Sequence, residues 1–168
     1  MLLMIPLIAM QFSNEVVWTL SDFVIAGTLL FGTGLSYTLI TRKSGQTIYR
    51  IAIGVALFTG LLLIWVNLAV GLIGSENNPV NLLYFGVIIL GIIGSLIARF
   101  RSRGMQTTMF AMGLTQTMIT VIALIGGFYQ SPPSTVLHII GINGFFITLF
   151  VLSALLFRYA AKGDKSAI

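Results

Sequence analysis

Long apolar runs separated by short polar breaks set the pattern of this chain. The first clear run covers residues 22–40, with Ser21 placed to cap its start and Arg42 and Lys43 closing it. A helix needs about 20 apolar residues to cross the hydrocarbon core of a bilayer, and this run has that length. A second run, residues 51–73, follows Tyr49 and Arg50 and ends in the turn formers Gly74-Ser75-Glu76-Asn77-Asn78-Pro79. Asn78 before Pro79 reads as an N-cap followed by proline at the first helical position. That signal opens a third run over residues 80–98, stopped by Arg99, Arg101 and Arg103. The fourth run, residues 105–128, gives way to Tyr129-Gln130-Ser131-Pro132-Pro133-Ser134, because paired prolines cannot continue a helix. The fifth, residues 135–157, ends at Arg158, and a frayed tail carries Lys162, Asp164 and Lys165.

The stretch before the first span is apolar but broken by Pro6, Gln11, Ser13, Asn14 and Glu15. A separate span there would be too short, so residues 1–20 read as an interfacial segment with Trp18 at headgroup level. The expected fold is all-α: a polytopic transmembrane helix bundle of about five spans within residues 21–158, followed by a cytoplasmic tail, residues 159–168.

Composition agrees with that pattern. Hydrophobic residues make up 57% of the 168 and charged residues 8%, whereas soluble domains carry about 25% charge. Too little charge is present to solvate a globular surface, so the solvent is lipid. Nine basic residues against four acidic ones give a net charge of +5. The basic residues sit only where apolar runs end, which is the demand of membrane orientation and not of nucleic-acid binding. With five spans, Arg42, Lys43 and Arg50 share one side with Arg99, Arg101 and Arg103 and with Arg158, Lys162 and Lys165. The amino terminus is therefore expected outside and the carboxyl terminus in the cytoplasm. Met1 to Met10 lacks the charged start of a signal peptide, and no cleavage is expected.

The absence of cysteine excludes disulfides, thiolate metal sites, iron–sulfur clusters and a cysteine nucleophile. One histidine excludes haem held by two histidines of the same chain. No cofactor or metal is expected, and no phosphate-binding or nucleophile motif is present. Small residues four apart, such as Thr28, Gly32 and Ser36, Ala52, Ala56 and Gly60, or Gly91 and Ser95, predict close helix packing in a compact bundle.

A few polar residues stand out as a functional or packing cluster: Asp22, Asn67, Glu76, Asn78, Asn81, His138 and Asn143. Asn67 falls within the second run, where a carboxamide in lipid needs partners; an interhelical hydrogen bond is the expected role, ligand binding the alternative. Glu76, Asn77, Asn78 and Asn81 crowd the outer turn. Their oxygens suit a hard cation, but a single carboxylate is little charge for one, and turn formation with helix capping accounts for most of the asparagines. Asp22 and His138 fall near the outer ends of their helices, where an aspartate also suits the positive end of the helix dipole and a histidine suits proton relay. Asn143 is about 140° around the helix from His138, so the two do not share a face. The turn at residues 74–81 is the expected functional surface, with Glu76 organising a polar mouth that Asp22 and His138 complete.

The run Trp65-Val66-Asn67-Leu68-Ala69-Val70-Gly71-Leu72-Ile73-Gly74-Ser75-Glu76-Asn77-Asn78-Pro79 resembles a W-x-N-x-A-V-G-x-I-G-S-E-x-N-P segment of a family of small multi-pass inner-membrane proteins of bacteria. Residues 81–84, 98–105 and 143–146 also look like their counterparts, and the resemblance covers roughly residues 20–161. It implies a bacterial inner-membrane protein and draws attention to Asn67, Glu76, Asn78, Pro79 and Asn143, but brings no activity with it. The expected function is non-enzymatic: an accessory or structural subunit of a membrane complex. An oligomeric transport or permeation module is the alternative, and a membrane enzyme the weakest reading. The expected partners are membrane lipids, together with further copies of the chain or other subunits.

Overall fold

The computed structural model describes residues 3–12, 17–42, 44–75, 77–130 and 134–163. Among these, the chain is helical throughout: α1 (Met4–Phe12), α2 (Leu20–Thr41), α3 (Thr47–Ala69), α4 (Leu83–Ile97), α5 (Ser102–Ile125) and α6 (Val136–Gly163). A turn of 3-10 helix, Pro79–Leu82, leads into α4, and another, Phe128–Gln130, follows α5. Five segments are long and apolar enough to cross a membrane: α2, α3, α4 together with the 3-10 turn before it (Pro79–Ile97), α5 and α6. The protein is a multi-pass membrane protein.

Two compact units divide the chain, Met1–Leu39 and Ile40–Ile168. Nearly all of α2 falls in the first unit with the amino-terminal segment, and α3 to α6 fall in the second. In the first unit, α2 begins at a reciprocal cap. The Thr19 N–H donates to Asp22 Oδ2 at 2.7 Å, and the Asp22 N–H returns a long 3.4 Å bond to Thr19 Oγ1. Each side chain satisfies a backbone donor that the first turn leaves open. The cap is therefore Thr19; Ser21, the expected cap, lies two residues on, within the first turn, and shares a 2.6 Å hydroxyl contact with Thr19.

In the second unit, α6 packs along α5 and α3, and α4 packs along α5. The core is built from Phe146, Phe150 and Phe157 of α6 with Tyr84, Ile53 and Leu63, all fully buried. Close approach of α4 to α5 depends on Gly94. A Cβ there would fall 2.6 Å from the methyl of Thr108 and 2.8 Å from its hydroxyl. On the other side, Ser153 Oγ of α6 donates to the Ala52 carbonyl of α3 at 3.0 Å.

Three helix ends differ from the sequence expectation. Helix α3 stops at Ala69 and not at Ile73, because the chain turns through positive φ at Gly71 (74°) and Gly74 (67°). Helix α6 runs past Arg158 to Gly163: a charge ends a membrane span without ending a helix, so residues 159–163 are no frayed tail. Between α4 and α5, Arg99 and Phe100 both adopt left-handed backbone, φ 49° and 56°. That conformation costs side-chain-bearing residues about 1–2 kcal/mol each. The turn is closed by Phe100 N–H to Ser95 O at 3.1 Å, and the Tyr49 hydroxyl of α3 donates to the Phe100 carbonyl at 2.6 Å.

Candidate functional site

Asn81 is the centre of the polar structure. It lies in the 3-10 turn before α4 and is 4% exposed. A carboxamide offers two N–H donors and an oxygen with two lone pairs, and Asn81 uses all four. Its Oδ1 accepts from the N–H groups of Leu72 (3.2 Å) and Ile73 (3.0 Å), while its Nδ2 donates to the carbonyls of Ile73 (3.1 Å) and Ser75 (2.8 Å). The segment 70–75 has left the helix, and a buried loop must find partners for its backbone elsewhere. One side chain supplies most of them. Ser134, ahead of α6, adds another by accepting from Gly74 N–H at 2.7 Å.

With its backbone satisfied in this way, the loop buries its apolar side chains: Leu72 and Ile73 are fully buried. Gly71 makes the fold of the loop possible. Its φ is +74°, and a Cβ would fall 2.6 Å from Asn81 Nδ2 and 2.7 Å from the Ser75 carbonyl oxygen. Gly71 lies beyond the end of α3, in the loop against Asn81.

Asn67, in the last turn of α3, donates from Nδ2 to the Asn81 carbonyl at 3.0 Å. Its Oδ1 is buried with no partner. Since the Asn81 carbonyl accepts, turning the amide over would set oxygen against oxygen, so this orientation is fixed by the network. Replacement by leucine removes one bond, worth about 0.6 kcal/mol on average in a membrane and at most about 1.7, and also removes the unpartnered oxygen. Asn67→Leu is therefore expected to shift unfolding in detergent by less than about 1 kcal/mol; a loss several times larger would mean that its free oxygen has an occupant.

One turn beyond Asn81, the Tyr84 hydroxyl donates to Asn143 Oδ1 at 3.0 Å, and Gln116 Nε2 of α5 donates to the same oxygen at 2.9 Å. Asn143 Nδ2 donates to Ile139 O at 2.9 Å. Three helices, α4, α5 and α6, thus meet on one fully buried oxygen. Gln116 Oε1 is the second buried acceptor with no partner. The five α5 threonines instead bond back to carbonyls of their own helix, as Thr117 does to Gly113 at 2.9 Å.

The structure brings Asn67, Asn81 and Asn143 into or beside this network and leaves other expected residues outside it. Asn78 caps the 3-10 turn by accepting from Val80 N–H at 3.1 Å. His138 is exposed, and its own N–H is held by Thr135 Oγ1 at 3.1 Å. Its separation from buried Asn143 follows the helical period. Asp22 serves the cap of α2 in the other unit. Glu76 lies outside the described residues, and the mouth built around it lies outside with it. Tyr84 and Ser134 were not singled out by the sequence. A tyrosine three residues beyond Asn81 shares its helical face, a signal that could have found Tyr84; for Ser134 there was none. Among the described residues no three His, Cys, Asp or Glu side chains gather into a metal site. No family model, curated protein or solved structure matches the chain.

Proposed function

We propose that the protein is a non-enzymatic accessory or structural subunit of a membrane complex. The observation that carries this reading is where the buried polar groups are directed. All four positions of Asn81 go to the chain's own loop, and Asn143 ties three helices together. This chemistry holds a shape. Purification in mild detergent followed by native mass spectrometry should return the chain in fixed stoichiometry with a different membrane protein. A chain found only as monomer or homo-oligomer would end this reading.

The bacterial inner membrane enters the proposal through the resemblance of residues 65–79, and the orientation through the placement of Lys and Arg. The amino terminus is outside and the carboxyl terminus cytoplasmic. Alkaline phosphatase fused after Ile168 is expected to be inactive and a fluorescent protein there to glow; an active phosphatase reverses the orientation.

One observation favours a second reading, the permeation module. Among the described residues the two unpartnered buried side-chain atoms, Asn67 Oδ1 and Gln116 Oε1, are both acceptors, the type of group that meets a cation or a hydrogen-bond donor. Sodium or ammonium flux into proteoliposomes that is lost with Gln116→Leu is what this reading requires. Liposomes that stay tight would remove it.

A further inference from the structure

We propose that the arginine-rich end of the α3–α6 unit is a binding surface for anionic phospholipid headgroups. Three chain segments meet at this end. The Tyr49 hydroxyl of α3 bonds to the Phe100 carbonyl of the α4–α5 turn at 2.6 Å, and the Tyr49 ring stands edge-on to Phe157 of α6 with centroids 5.6 Å apart. Tyr49 and Phe157 are buried. Each of these three aromatic residues has an exposed arginine beside it in the chain: Arg50 after Tyr49, Arg99 and Arg101 around Phe100, Arg158 after Phe157. The aromatic contacts therefore gather the arginines into one collar, to which exposed Arg103 adds a further charge.

Little in the neighbouring sequence balances that charge. Residues 42–50, 98–103 and 157–163 hold no aspartate or glutamate, and Asp164 is the one acidic residue that adjoins them in the chain. The backbone at the collar points the same way. Arg99 occupies left-handed backbone, φ 49°, where glycine fits without strain. A cation stands at a position that the turn alone would give to glycine. A collar of guanidinium groups at the end of a membrane bundle meets lipid phosphates, and guanidinium pairs with phosphate through two parallel hydrogen bonds. The inference holds whichever side of the membrane this end occupies, and it is independent of the subunit reading.

The test uses the full chain in neutral maltoside micelles, with phosphatidylglycerol and phosphatidylcholine competing for it and retained lipid read by native mass spectrometry. Phosphatidylglycerol should be preferred. Each basic residue near a membrane surface contributes about fivefold to such a preference, so Arg99→Gln, Arg101→Gln and Arg103→Gln combined should lower it by about a hundredfold. Arg99→Gly separates binding from folding. It relieves the left-handed backbone, so in lipid-free micelles it should melt no lower than the parent while losing about fivefold in preference. Equal retention of the two lipids, a preference unchanged in the triple variant, or displacement of phosphatidylglycerol by millimolar inorganic phosphate would each overturn the proposal. So would an Arg99→Gly protein that keeps the full preference.

Discussion

Asn81→Ala is expected to destabilise the α3–α6 unit by about 3 kcal/mol or more, the largest effect of any single polar substitution in the chain. The side chain serves four backbone groups of Leu72, Ile73 and Ser75. Removing one partner of a buried bond leaves the other unsatisfied at about 1–3 kcal/mol, and here the stranded groups belong to a segment with Leu72 and Ile73 fully buried. The expected outcome is release of residues 71–75 from the bundle, seen as faster amide exchange at Leu72 and Ile73 together with a lower unfolding midpoint. Asn81→Asp should rescue little, since a carboxylate keeps the acceptor but sets negative charge against the Ile73 and Ser75 carbonyls. Protection at Leu72 and Ile73 that survives Asn81→Ala would show that apolar burial alone holds the loop.

Asn143→Leu comes next, at about 2 kcal/mol. The Tyr84 hydroxyl and Gln116 Nε2 both lose their acceptor inside a fully buried site. The informative comparison is with Tyr84→Phe, Gln116→Leu and Asn143→Leu combined. Replacing every member of a hydrogen-bonded group by apolar side chains is close to neutral, whereas removing one leaves the others stranded. The triple variant should therefore unfold at higher denaturant than Asn143→Leu alone. Strictly additive losses would mean that the three side chains do not act as one network.

Helix number and the approximate places of the spans could be read from the apolar runs, because lipid demands length and apolarity and little else. Helix ends could not. Val70, Leu72 and Ile73 are as apolar as the α3 residues before them; they leave the helix where Gly71 and Gly74 turn the backbone, and a side chain several residues later in the chain takes up their hydrogen bonds. Arg99 and Phe100 carry no glycine or asparagine signal for left-handed backbone. The site divides in the same way. Asn67 and Asn143 were visible as lone carboxamides in apolar runs, and for Asn67 a hydrogen-bond partner within the bundle was expected. Their partners were hidden, since the periodicity of one helix says which face is buried and nothing of which residue of another helix it meets. Asn81 was visible only as part of an asparagine-rich turn, where capping was sufficient explanation; capping describes Asn78, and Asn81 performs a larger task.

The back-bonded threonines of α5 bear on how this chain enters a membrane at all. Counted by residue type, Thr107, Thr108, Thr115, Thr117 and Thr120 make α5 one of the more polar spans. Each hydroxyl, however, already donates to a carbonyl one turn earlier on its own helix. To a bilayer, such a threonine presents chiefly its methyl group, and α5 is more oil-like than its letters. It can therefore partition into lipid as a single helix, before any neighbour is available to satisfy it. In its middle, Gln116 still asks for a partner at that stage. Lateral assembly of α5 with α6 is then a step in which one amide, and not a whole polar face, seeks its counterpart.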